Sequence, residues 1–141
     1  MPTTNKSVLA LDVGQARVGV AVASLAAKLP NPLVTLPNDG SFFDRLDEII
    51  RQEEIGALIV GLPRGLEGQT TAQTVAIGKF VKALKQHVDL PVHLQDEALT
   101  SHKAEAELRR RGKVYDKADI DALAATYILE DWLNNPGGID G

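Results

Sequence analysis

Three acids in this chain stand where carboxylate chemistry could be assembled. Asp12 ends the apolar run Val8-Leu-Ala-Leu11, Glu97 follows Pro91-Val-His-Leu-Gln95-Asp96, and Asp121 lies beside the apolar stripe of the last helix. An ionised carboxylate at the end of a buried strand is costly unless it is paired, hydrogen-bonded or bound to a metal. Three of them brought together without matching cations repel and raise one another's pKa. A divalent cation removes that difficulty. All-oxygen ligand sets suit Mg²⁺ or Mn²⁺, with water and substrate phosphate completing the shell. Two such ions about 3.5–4 Å apart activate a water and stabilise the leaving oxygen of a phosphodiester. No side chain in the pattern is an obvious nucleophile, which leaves that role to water. Each acid also has a plainer reading: Asp12 as a turn-former beside Gly14, Glu97 as a solvated loop acid, Asp121 as an acid favoured at a helix N-terminus.

Whether the acids meet depends on the elements that carry them. Val8–Leu11 and Val18-Gly-Val-Ala-Val22, joined across Gly14-Gln-Ala-Arg17, read as a β-hairpin. Leu29–Pro37 holds three prolines and can be only a short edge strand. Phe42, Phe43, Leu46, Ile49 and Ile50 recur at helical spacing, with Ser41 as a cap and Gly56 where a C-cap glycine is expected. Ala57–Gly61 is a buried strand. A helix from Thr71 to about His87 carries Ala76, Ile77, Phe80, Val81 and Leu84 on one face. Pro91–Gln95 is the last strand, and a helix capped by Thr100 or Ser101 runs to near Gly112. The final helix begins near Asp119, with Ile120, Leu123, Ala124, Tyr127 and Ile128 as its stripe, and residues 134–141 form a tail with nothing to pack.

A hairpin followed by alternating helices and strands gives an α/β fold with a mixed five-stranded sheet flanked by helices. Right-handed crossovers place the two later strands parallel to the first. Ligands in such sheets sit beyond the carboxyl ends of the strands. That edge collects all three acids: Asp12 at the end of the first strand, Glu97 just past the last, and Asp121 in the first turn of the final helix. Ala124 and Ala125 are small enough to let that helix approach the sheet closely.

With 141 residues the chain has the length of one domain, and its 44% apolar and 24% charged fractions are those of an ordinary soluble protein. It has no cysteine, which excludes disulfides, thiolate metal sites and a Cys nucleophile, and fits a cytoplasmic setting. The N-terminus lacks a signal-peptide pattern, and no apolar stretch approaches the roughly 18 residues of a membrane helix. A net charge of −4 argues against a general polyanion-binding surface, while leaving local patches free to bind nucleic acid. The expected phosphate contacts are Arg17 after the hairpin turn, Arg64 in the loop Gly61-Leu-Pro-Arg-Gly65, and the run Arg109-Arg110-Arg111-Gly-Lys113. The last of these also suits the C-terminal end of a helix dipole. Lys79, Lys82 and Lys85 read as a solvated face, His87, His93 and His102 as surface or structural histidines, and Tyr127 and Trp132 as core.

The motifs Leu11-Asp-Val-Gly14 with Gly19-Val-Ala-Val22, Val60-Gly-Leu-Pro63 with Gly68, Asp96-Glu97 with Leu99-Thr-Ser101, and Asp121 with Ala124-Ala125 and Ile128-Leu129 span roughly residues 8–133. In that order and spacing they resemble the YqgF family of Holliday junction resolvase-like proteins and pre-16S rRNA nucleases. The resemblance implies an RNase H-like fold, metal-dependent nuclease chemistry with Mg²⁺ or Mn²⁺, and maturation of the 5′ end of 16S rRNA. It carries the family's acidic triad onto Asp12, Glu97 and Asp121. The chain departs from the family at Ala98, where many members have Arg, and at Arg64-Gly-Leu-Glu67, where an Asn and an Asp are common.

The leading expectation is therefore a metal-dependent nuclease acting on precursor rRNA or a ribosomal particle, as monomer or homodimer. A resolvase acting on branched DNA would use the same chemistry, and two-fold symmetry would suit it. A sugar-kinase or actin-like ATPase would share the Asp-Val-Gly loop but needs two such domains. A non-catalytic nucleic-acid-binding module is the remaining alternative, kept open by Ala98.

Overall fold

In the computed structural model, residues 6–62, 72–96, 106, 110 and 117–134 are described. Five strands form one sheet: β1 (Ser7–Val13), β2 (Arg17–Ser24), β3 (Asn31–Pro37), β4 (Ile55–Leu62) and β5 (Val92–Asp96), in the order β3-β2-β1-β4-β5. The hairpin pairs β1 with β2 antiparallel, while β4 runs parallel to β1 and β5 parallel to β4. Hence the carboxyl ends of β1, β4 and β5 share one edge. The proline-bearing β3 is an outer strand, as its missing N–H donors require.

Three helices cover the sheet among the described residues: α1 (Phe42–Gln52), α2 (Ala72–His87) and α3 (Lys117–Asn134). Alternation along each strand splits the core in two. Leu9, Leu11, Val13, Val18 and Val20 face α1 and α2, where they pack with Phe42, Leu46, Ile77 and Leu84. Val8, Ala10, Ala21, Ala23 and Ile59 face α3, packing on Ala125, Ile128, Leu129 and Trp132. The α3 face is built mostly of small residues, so this helix lies close to the strands. Ala106 and Arg110 are helical and exposed; the rest of the helix expected from Thr100 or Ser101 to Gly112 lies outside the described residues.

Several local expectations are corrected. Ser41 stands at the N-cap of α1 without a side-chain cap bond. Asp39 organises the turn instead, its Oδ1 accepting from Ser41 N at 2.8 Å and from Ser41 Oγ at 2.6 Å. Gly56 does not terminate α1. It lies inside β4, and the left-handed position after the helix falls to Glu54, with φ of 52°. Glu54 keeps that conformation while its carbonyl accepts from Ser7 N at 3.1 Å, tying the helix end to the start of β1. Ala76 is exposed rather than part of the buried face of α2. The final helix begins at Lys117, two residues before the expected start, so Asp121 is beyond its first turn.

Candidate active site

Asp12 is the penultimate residue of β1 and, with Val8 and Ala10, belongs to the face covered by α3. Directly opposite it in the hairpin ladder is Gly19. A Cβ at Gly19 would collide with the main-chain carbonyl of Asp121 and lie 2.9 Å from the amide nitrogen of Ala122. Only a residue without a side chain lets α3 come down at this point, and it does so beside Asp12. The sequence pointed to Ala124 and Ala125 for this approach. Both are fully buried, and Gly19 completes the contact from the sheet side.

The hairpin turn is held firmly. Gly14 N donates to Arg17 O at 2.8 Å, Asn38 N donates to Ala16 O at 2.9 Å, and Asn38 Nδ2 donates to Gly14 O at 2.7 Å. Arg17 starts β2 on the same face as Gly19. Its Nε donates to Asp121 Oδ2 at 2.9 Å in an ion pair whose side chains are 37% and 25% exposed. The acid is therefore the more enclosed partner. Asp121 sits past the turn where a helix dipole favours an acid, so its placement follows from the contact with Gly19 and Arg17.

A residue that the sequence did not single out shares this face. Val92 and Leu94 pack into the α1–α2 side, so alternation turns His93 and Gln95 toward α3. The His93 ring lies 5.4 Å from that of Trp132 on α3. Gln95 pairs with Gly61, the residue following Val60, which is the partner of Leu11. Gln95 is thus in the same row as Asp12, two strands over, or about 10 Å along the sheet. Its Oε1 is buried with no hydrogen-bond partner among the described residues. The period-two spacing of Gln95 and Glu97 is the signal that could have identified it.

Asp12 and Asp121 lie on one face at the carboxyl edge of the sheet, with Gln95 further along it, and their oxygens are the type of donor that hard cations such as Mg²⁺ or Mn²⁺ take; among the described residues no group of three acids or histidines is assembled. Glu97, Arg64, Arg109, Arg111 and Lys113 lie outside the described residues. His87 bonds Asp47 at 3.0 Å and stacks on Phe43, Trp132 is buried, and Lys79, Lys82 and Lys85 are exposed, as read from sequence. A cavity of about 700 Å³ opens on the other side of the hairpin, between Val13, Gly14 and Gln15 and the α2 residues Ile77, Lys79 and Phe80. No acid is among its described lining residues.

A family described as RuvX, Holliday junction resolvase, matches residues 6–135. A protein of Maridesulfovibrio salexigens named "Putative pre-16S rRNA nuclease" is 38% identical over 131 residues, covering 89% of this chain and 96% of its own. Relatives of the same name from Crocosphaera subtropica and Rickettsia typhi are 36% and 37% identical, each over 91% or more of this chain and 86% or more of their own. Among solved structures, Thermus thermophilus RuvC in complex with a Holliday junction substrate superposes with a TM-score of 0.60 over 96% of this chain and 98% of its own, at 18% identity. That likeness establishes the RNase H-like fold expected from the sequence. The agreement in fold, together with the match over nearly all of its length, means that the chain belongs to the RuvX family, the YqgF family of the sequence resemblance.

Proposed function

We propose that this protein is a divalent-metal-dependent nuclease that processes the 5′ end of pre-16S rRNA, with Asp12, Asp121 and Glu97 as its metal ligands. The observation that carries the reading is the seating of the Asp121 backbone on Gly19, directly opposite Asp12. It brings the backbone of a second acid, more than a hundred positions away in sequence, to the strand position beside Asp12 at the ligand-binding edge. Glu97, two residues beyond Gln95 in sequence, is carried into this reading by the family resemblance. The names of the relatives support the substrate, and Mg²⁺ or Mn²⁺ is supported by the all-oxygen donor set.

A cation held there supplies Lewis acidity and lowers the pKa of a water. The protein's residues do the rest. Asp12 is fixed by the β1 ladder and Asp121 by its docked helix, so the carboxylates arrive preorganised rather than collapsing onto an ion. Gln95 Oε1 offers a buried acceptor on the same face. Arg64, Arg109, Arg110, Arg111 and Lys113 hold the phosphate backbone of the substrate, of which Arg110 is exposed and helical. Binding then rests on basic residues and cleavage on the acids. A cytoplasmic setting follows from an rRNA substrate, and no described helix is long and apolar enough to cross a membrane.

The family description favours one second reading, cleavage of a Holliday junction by the same site. The test is cleavage of labelled 16S precursor RNA and of a four-way DNA junction in Mn²⁺ or Mg²⁺, wild type beside Asp12→Asn. The expected result is RNA cutting that the variant loses by at least about a hundredfold while RNA binding persists. Junction cutting alone transfers the assignment to a resolvase. Asp12→Asn cutting as well as wild type refutes the site, and silence from folded wild type on both substrates favours a binding module.

A further inference from the structure

We infer that Arg17 is the counter-ion of the acidic site before a metal arrives, and that it passes to a substrate phosphate once a cation has taken Asp121. This rests on the metal reading above. Clustered carboxylates need a compensating positive charge, and the structure supplies one: the Arg17 guanidinium bound to Asp121 at 2.9 Å. Arg17 lies two residues before Gly19 on the same face of β2, which places it diagonally across the ladder from Asp12.

The two partners differ in freedom. Asp121 belongs to a helix pressed against Gly19, whereas Arg17 is the first residue of its strand, and its side chain is the more exposed of the pair. When the pair opens, the arginine is the part that moves. A guanidinium and a divalent cation on the same carboxylate repel, so a cation held by Asp121 would weaken the pair and let Arg17 leave. The released fork matches a phosphodiester, to which arginine donates paired hydrogen bonds. Arg17 is thus a positioning residue in the metal-free protein and a phosphate contact in the loaded one.

The experiment has two arms on the full chain. Mn²⁺ is titrated into protein without nucleic acid and followed by electron paramagnetic resonance, for wild type, Arg17→Gln, Arg17→Lys and Asp12→Asn. Affinity for a labelled precursor-rRNA fragment is then measured by fluorescence anisotropy in EDTA and in Ca²⁺, which accepts the same oxygen ligands. Arg17→Gln should bind Mn²⁺ roughly tenfold tighter, since the competing charge is gone, and Arg17→Lys should stay near wild type. In Ca²⁺, Arg17→Gln should lose roughly tenfold in RNA affinity and in EDTA almost none. Mn²⁺ binding that is unchanged or weaker in Arg17→Gln, while Asp12→Asn abolishes it, overturns the counter-ion role and leaves the metal site standing. An equal RNA loss in both media, or none in either, overturns the hand-over. If wild type binds no Mn²⁺, the metal reading fails and this inference falls with it.

Discussion

Gly19→Ala is the smallest change that separates the fold from the site. The added methyl would sit inside contact distance of the Asp121 carbonyl and 2.9 Å from the Ala122 nitrogen. Both are backbone atoms of α3, so no flexible side chain can yield. Nonbonded heavy atoms settle at about 3.5–4.0 Å, which requires the helix to withdraw by roughly 1 Å or more at this turn. Overpacking of this kind costs about 1–3 kcal/mol, a part of the ~5–15 kcal/mol that holds a domain folded. At about 3–4 °C per kcal/mol for a chain of this length, Tm should fall by roughly 3–12 °C. Asp121 moves with the helix, away from Asp12, and a displacement of that size at a reacting centre costs about a hundredfold in rate. The matched control is Gly78→Ala. Gly78 is exposed within α2 and a Cβ there meets nothing within 4 Å, so the variant should gain up to ~1 kcal/mol in helix propensity and keep full activity. Differential scanning calorimetry and Mn²⁺-dependent cleavage of precursor RNA read both variants. Wild-type Tm and rate in Gly19→Ala would show that α3 has slack over β2, and the geometric basis of the site would be lost.

Two further outcomes follow from the local structure around α1. The Asp39 carboxyl is held below its ordinary value of 3.8, first by the Ser41 hydroxyl and then by the Ser41 amide; desolvation opposes them, and the charge of Arg45 adds the least. A carboxyl whose folded pKa is depressed stabilises the fold above its unfolded pKa, and that contribution is lost as pH falls through the folded value. An NMR titration should therefore place the Asp39 midpoint below that of a free aspartate, and Ser41→Ala should move it upward; no upward movement would contradict the hydroxyl's role. Glu54→Gly should leave stability unchanged or raise it by up to ~1.5 kcal/mol, because relief of the left-handed φ (about 1–2 kcal/mol) matches or exceeds the added entropy of glycine (about 0.5–1 kcal/mol). Urea unfolding measures it, and a clear loss of stability would mean that the Glu54 side chain contributes more than its backbone costs.

How much was legible in the sequence divides along the range of the interaction involved. Strand pairing was readable because Val8–Leu11 and Val18–Val22 are branched, apolar and joined by a glycine-bearing turn, and because β4 and β5 each follow a helix. The split of Leu9 and Leu11 from Val8 and Ala10 is the period of a strand, and each face acquired its own helices. What local reading missed were choices between neighbours of similar type. Gly56 is a plausible helix terminator, yet the backbone turns at Glu54, because the carbonyl there joins Ser7 some fifty residues away. Ser41 is a plausible cap by residue type and does occupy the N-cap of α1, yet its hydroxyl donates back to the Asp39 carboxylate instead of serving the helix. The site divides likewise. Asp12 and Asp121 were identifiable as acids beside apolar stripes, whereas Gln95 announces itself only once β5 is known to turn odd-numbered residues toward α3.

Arg17 shows why residue type alone does not settle a role. A basic residue after a catalytic-looking turn reads as a phosphate contact, and its chemistry allows that. The fold gives it a nearer partner, because the same glycine that admits α3 carries Asp121 within reach of β2. The pair also answers the electrostatic difficulty posed by the acids at the outset. Where such acids meet, their mutual repulsion requires positive charge as long as no metal is bound, and a chain with a net charge of −4 has to supply it locally. An arginine that is more exposed than the acid it neutralises can supply that charge and still give way. A buried, rigid cation would have stabilised the acids equally well and shut the divalent ion out.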